Sequence, residues 1–318
     1  MSAVVLGVGA SHSTLMNTHR DRVAQHEGAQ GFRAGLAEAQ RYVAECAPDA
    51  VVIIGSNHFR GMFLDLMPSV TIGVGECTGA GEAGTPGGPL PVDTDLARHL
   101  LWSLVDGGFD PAFSLRLQVD HGITHSLQYL VPALDVPVVP VVVNMFSPPL
   151  MPLRRAAALG TAIGAAVRDD GSAKRVVVIA SGGLSHRLPW PKWYATLSDD
   201  DRFLVEAWLN GRHSWPEYEQ RRRQIVTAAR PDINEEFDRE FLAMLEAGDL
   251  AAVLDLTSAE LEDVAGNGAQ EIRSWIAMAA AVRGRARTLA YAPVAPWLTG
   301  MAVAVVRPDQ GQRPAEGQ

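Results

Sequence analysis

Apolar positions in this chain gather into short β-branched runs, and three of those runs break into small-residue loops that carry a histidine. Ala3–Val8 leads to Gly-Ala-Ser-His12, Ala50–Ile54 to Gly-Ser-Asn-His58, and Arg175–Ala180 to Ser-Gly-Gly-Leu-Ser-His186. The last two runs have no polar face, as expected of strands buried on both sides of an α/β sheet. In open sheets of that class, ligands gather outside the carboxyl ends of the strands. Parallel pairing of the three runs would therefore bring their histidines to one edge.

Helical spacing separates these runs. The pattern predicts helices over Gly28–Cys46 (Phe32, Leu36, Ala39, Tyr42 and Val43 inward), from an Asp93 cap to about Val105, from about His125 to near Pro132, and over Leu153–Val167. Further strands are expected at Val70–Val74, Ser114–Val119 and Val138–Asn144. The fold class that follows is α/β, a mainly parallel central sheet flanked by helices. From about Ser198 to 262 the chain turns charged and amphipathic with little strand signal, which indicates a helical insertion in the C-terminal half. Asn267–Val282 is predicted as another helix and Ala302–Val306 as a late strand. A single catalytic domain is expected over 1–307, with 308–318 a disordered tail by composition.

Charge and composition narrow the function classes. The formal charge of -9 and the lack of a Lys/Arg-rich block argue against nucleic acid as a partner. No apolar stretch reaches membrane-spanning length, and the N-terminus has no signal-peptide pattern. Cys46 and Cys77, the only cysteines, suit a reducing compartment and exclude a disulfide framework or a Cys-rich zinc motif. A cytoplasmic protein is the expectation.

The nine histidines divide by context. His19, His26, His99 and His213 lie in polar or charged segments, and His125 opens a predicted helix; ordinary structural roles suffice for these five. His12, His58, His121 and His186 each follow an apolar or alternating run and are set among Ser, Gly, Asn or Asp. Glu271 is the candidate carboxylate beside them, because it shares a helical stripe with Trp275, Met278 and Val282. A charge on an inward stripe needs a neutralising partner, and a divalent cation is one. A solvent-facing glutamate in a first helical turn is the plain alternative. Two histidines and a carboxylate suit non-haem Fe(II); zinc accepts the same ligands. Gly7-Val-Gly9 lacks the third glycine of a dinucleotide site, no P-loop is present, and Ser185 lacks the nucleophile-elbow frame.

Five motifs in order carry a family resemblance: Ser11-His12-Ser13, Asn57-His58-Phe59, Gln118-Val119-Asp120-His121-Gly122, Ser181-Gly182-Gly183-Leu184-Ser185-His186 and Gln270-Glu271-Ile272-x-x-Trp275. Together they resemble the class III (LigB-type) extradiol ring-cleavage dioxygenases, and within them the single-chain enzymes of 2,3-dihydroxyphenylpropionate cleavage. The likeness runs from about residue 5 to about residue 300. It implies Fe(II) bound by His12, His58 and Glu271, with His121 and His186 as the acid–base pair. It also implies a catecholic substrate and O₂, meta-cleavage of a carboxyalkyl-catechol such as 3-(2,3-dihydroxyphenyl)propionate, and a homo-oligomer. Arg60 and Arg187 are then candidates to meet the substrate carboxylate, and Asp120 to orient His121. Two alternatives stand beside it: a zinc hydrolase on the same scaffold, and a non-catalytic relative of the fold.

Overall fold

Nine strands form one sheet in the computed structural model, which describes residues 1–195 and 198–309. They are β1 (Ala3–Ala10), β2 (Ala50–Ser56), β3 (Val70–Ala80), β4 (Gly87–Leu90), β5 (Ala112–Val119), β6 (Val138–Val143), β7 (Arg175–Ser181), β8 (Ala286–Val294) and β9 (Thr299–Val306). The helices are α1 (Thr14–Thr18), α2 (Glu27–Glu45), α3 (Thr94–Asp106), α4 (His121–Leu130), α5 (Leu153–Asp169), α6 (Asp199–Thr227), α7 (Glu235–Ala247), α8 (Ala251–Leu254), α9 (Ser258–Ala265) and α10 (Ile272–Val282).

Strand order is β4-β3-β6-β2-β7-β1-β9-β8, with β5 paired to β3. The centre is parallel, since β2 pairs with both β6 and β7, and β7 with β1. The flanks are mostly antiparallel: β3 runs antiparallel to β4 and β6, and β9 antiparallel to β1 and β8, with only β5 parallel to β3. The sheet is therefore mixed rather than mainly parallel. Short returns such as Gly81–Pro86 and Ala295–Leu298 have no room for a crossover helix, so they impose antiparallel neighbours.

Along β2, Val52 and Ile54 enter the core on one face, and Val51 and Ile53 the core on the other. This double burial is why the run reads as continuously apolar, and each such side chain contributes about 1.5–3 kcal/mol of transfer free energy. One core lies under α3, α5 and α10; the other lies under α2 and α4. The parallel centre sends the carboxyl ends of β1, β2 and β7 to one edge.

Several predicted boundaries shift. The helix expected from about His125 begins at His121, because Asp120 caps it by accepting the Gly122 N–H at 3.0 Å. Asn267–Glu271 is a 3₁₀ turn preceding α10 and not part of one helix, wound tightly where Gly268 N donates to His186 O at 2.9 Å. β8 was not expected, since it is only half-buried and opens with Ala286-Arg287-Thr288. The helical stretch from Ser198 contains one long helix, α6, broken at Ser214 beside Pro216. The expected tail lies, beyond Asp309, outside the described residues. Among the described residues no helix is long and apolar enough to cross a membrane.

Candidate active site

The three loops at the carboxyl edge meet Glu271 at the start of α10. His12 follows β1, His58 follows β2, His186 follows β7, and His121 opens α4 immediately after β5. All four histidines and Glu271 line one pocket. Glu271 is buried at 1% exposure, and Trp275, Met278 and Val282 of its stripe are buried with it. Trp275 Nε1 donates to Gly182 O at 2.9 Å, which ties α10 to the His186 loop. Glycine at 182 permits this approach, because a Cβ there would lie 2.7 Å from that of Glu271.

His12 Nε2 lies 3.3 Å and His58 Nε2 3.6 Å from Glu271 Oε1. The outer nitrogens are occupied elsewhere. His12 Nδ1 is 3.0 Å from Ser181 Oγ, and His58 Nδ1 is 3.4 Å from Ser56 Oγ. Glu271 is braced as well: Gly183 N donates to Oε2 at 2.6 Å, and Ser56 Oγ donates to Oε1. His12 Nε2 is nonetheless buried with no hydrogen-bond partner.

That orphaned nitrogen tests whether a metal fits. Ligands about 2.1 Å from a common ion sit about 3.0–3.4 Å apart at octahedral to tetrahedral angles, and the spacing to Glu271 is of that order. Burial opposes ionisation of Glu271, yet His12, His58 and His186 hold its carboxyl far below the usual range. An anionic oxygen and two inward imidazole nitrogens are a donor set for a divalent ion. Two further groupings are present, with ligand atoms within 4.8 Å of one another in each: His12, His58 and His121, and Glu82, Asp120 and His121.

The rings of His58 and His121 are 3.9 Å apart, centroid to centroid. Burial, then the neighbouring His58, pushes His121 well below its ordinary value, and burial likewise lowers His186. Burial also acts to lower His58, but Asp120, Glu271 and Glu82 outweigh it and raise the group. His186 Nδ1 lies 2.8 Å from Leu184 O, which can only accept, so this nitrogen carries the proton. Phe146 and Trp190 wall the His58 side, at ring distances of 5.0 and 5.7 Å.

Not every candidate sits as the spacing suggested. Arg60 lines the pocket. Arg187 does not: it pairs with Asp232 at 2.9 Å and with Glu262 at 3.7 Å, over a different depression. Asp120 accepts the His58 backbone N–H at 2.5 Å and caps α4, so its hydrogen bonds serve His58 and not the His121 ring.

The carboxylate at that ring is Glu82. Its Oε1 accepts the His121 backbone N–H at 2.6 Å and lies 2.9 Å from Nδ1. Glu82 belongs to the glycine-rich Gly79–Gly88 loop, whose five glycines in ten residues were the one signal available for it. The sequence context of His125 is ordinary, yet the residue is buried with Nε2 unpartnered, 6.0 Å from the His12 ring. Burial, helped by His12, pushes it down to about 3.

Comparison with known proteins accords with this arrangement. Residues 6–302 match the family described as the catalytic LigB subunit of aromatic ring-opening dioxygenase. A 2,3-dihydroxyphenylpropionate/2,3-dihydroxicinnamic acid 1,2-dioxygenase of a Rhodococcus species is 36% identical over 309 residues, covering 92% of this chain and 95% of its own. The enzyme of that name from Cupriavidus necator is also 36% identical, over 86% and 89% of the two chains. Among solved structures, an uncharacterized protein of Escherichia coli K12 shares the fold with a TM-score of 0.53 at 15% identity, over 95% of this chain and 99% of that one.

Proposed function

The chain belongs to the LigB family of aromatic ring-opening dioxygenases, and from that premise we propose that it is an Fe(II)-dependent extradiol enzyme acting on a carboxyalkyl-catechol such as 3-(2,3-dihydroxyphenyl)propionate. Both atoms of O₂ enter the product. The observation that carries the reading is the buried, unpartnered Nε2 of His12 facing Glu271 Oε1 beside His58 Nε2. His12, His58 and Glu271 would hold the metal. A ferrous ion there supplies the redox-active centre at which catechol oxygens and O₂ meet. Zinc has no redox chemistry, so membership of an oxygenase family disfavours the hydrolase alternative. The substrate class rests on the names of the relatives.

His121 and His186 handle the protons. Glu82 holds the Nδ1–H tautomer of His121 and Leu184 O that of His186, leaving both Nε2 lone pairs free. Burial lowers both rings and so favours their neutral forms. A ring that takes a proton from a catechol hydroxyl becomes imidazolium, and the pair can return that same proton to the opening ring. Two imidazoles at one site titrate together, so uptake and return belong to the pair. Phe146 and Trp190 pack their rings against His58. In this reading 1–307 is one catalytic domain, with 198–262 an insertion whose helix α6 roofs the pocket. The unpaired Cys46 and Cys77 suit a cytoplasmic enzyme.

The experiment is anaerobic reconstitution with Fe(II), followed by oxygen-electrode assay with 3-(2,3-dihydroxyphenyl)propionate. One O₂ consumed per catechol, with a yellow product and no turnover by the zinc-loaded protein, is the expected result. No oxygen uptake with any substituted catechol overturns the assignment.

A further inference from the structure

We propose that Arg222, acting with Arg60 across their common counter-ion Glu219, receives an anionic side chain carried by the substrate ring; the inference rests on the ring-cleavage reading above. Arg222 and Glu219 stand on α6, while Arg60 follows His58 by two residues, and all three line the pocket that holds the histidines.

Glu82, Glu219 and Asp120 all act on Arg60, but Glu219 is the acid that its guanidinium bonds. Arg222 grips Glu219 with two donors, Nε to Oε2 and Nη2 to Oε1, both at 3.2 Å. Trp215 Nε1 donates to Oε2 at 2.7 Å. Arg60 reaches the same oxygen only at 3.4 Å, and its other bond is to Phe59 O at 3.3 Å. Its guanidinium lies 3.6 Å over the Trp215 ring with the side chain 12% exposed. Two half-buried cations thus share one carboxylate. Glu82, the next acid, is committed to His121 through Oε1, and its Oε2 is buried with no partner, so no Arg60 donor reaches it.

Burial works against ionisation of Glu219, yet Arg222 and Arg60 hold it below its ordinary value. A desolvated guanidinium with spare donors in a fixed fork is matched by a carboxylate, which accepts two parallel hydrogen bonds. The plain alternative is that Arg222 only braces α6 through its i,i+3 pair with Glu219.

Arg222→Gln separates the two, assayed with 3-(2,3-dihydroxyphenyl)propionate and with its methyl ester. The expected result is a loss in kcat/KM for the acid of about tenfold or more, mainly through KM, the scale of one charge-assisted hydrogen bond. The ester should change less than about twofold. Equal losses on both compounds, or none on either, overturn the proposal. Glu219→Gln removes the competing carboxylate and keeps or strengthens acid binding; a loss as large as that in Arg222→Gln also overturns it. Calorimetric titration of metal-free protein with 3-phenylpropionate, which lacks both hydroxyls, should give binding in the wild type and none in Arg222→Gln. If wild type consumes no oxygen with either catechol the ring-cleavage reading fails, while phenylpropionate binding still decides the receiver.

Discussion

Glu82 holds His121 at two points, accepting its backbone N–H at 2.6 Å and lying 2.9 Å from its ring Nδ1 through the same oxygen. The ring is fixed in orientation and tautomer by a residue 39 positions earlier in the chain. Replacing Glu82 with Ala frees the ring, so kcat on catechols should fall about 10–100-fold, the usual cost of losing an orienting partner. Bound iron should stay near wild-type level, because the side-chain hydrogen bonds of Glu82 go to His121 and not to the proposed ligands His12, His58 and Glu271. Unchanged kcat in this variant would remove Glu82 from the account.

Gly268 makes a similar point from the other side of the pocket. A Cβ there would lie 2.0 Å from Nε2 of His186. The imidazole is the free end of a side chain, so Gly268→Ala should swing the ring and not break the fold. A loss in kcat of about a hundredfold is expected, the cost of displacing a reacting group by about 1 Å. Thermal unfolding and iron content should be close to wild type. Retention of kcat within about twofold contradicts a proton-transfer role for His186.

Asp238 concerns stability. It accepts from Ser185 N at 2.8 Å, Ser185 Oγ at 2.8 Å and Tyr291 Oη at 2.9 Å, and so anchors the residue before His186. Burial outweighs these donors and pushes the carboxyl up from 3.8 to about 6. The folded chain then binds this proton more tightly than the unfolded chain does. The group's contribution is therefore complete below about pH 4 and is lost as pH rises through 6, up to about 3 kcal/mol in all. In urea unfolding of the metal-free protein, Asp238→Asn should gain on wild type by about 2–3 kcal/mol between pH 4 and pH 7. Parallel stability curves contradict it.

Much of this site was readable from residue type and spacing. Val51–Ile54, with no polar face, could only be a doubly buried strand, and its loop histidine had to emerge at the sheet edge. Glu271 was traceable because its stripe mates are apolar. What escaped notice depends on contacts between distant segments. Glu82 looks like any acid in a glycine-rich loop until that loop folds over α4. Arg222 looks like a surface arginine until α6 crosses the pocket. Arg187 follows His186 directly in the chain, but its side chain turns to Asp232, whereas Asp120 does stand at the site and bonds His58 in place of the His121 ring. The antiparallel flanks were hidden because β8 is half-exposed and β3 carries three glycines within its strand.

Two triads share His12 and His58, one completed by Glu271 and the other by His121, while Glu82, Asp120 and His121 form a third close grouping. Iron content after anaerobic reconstitution of Glu271→Ala and His121→Phe decides between them. The expected result is near-complete loss of iron in Glu271→Ala and about one iron per chain in His121→Phe, with oxygen uptake abolished in both. Full iron retention in Glu271→Ala, or its loss in His121→Phe, contradicts the assignment of the carboxylate as ligand and of His121 as proton carrier.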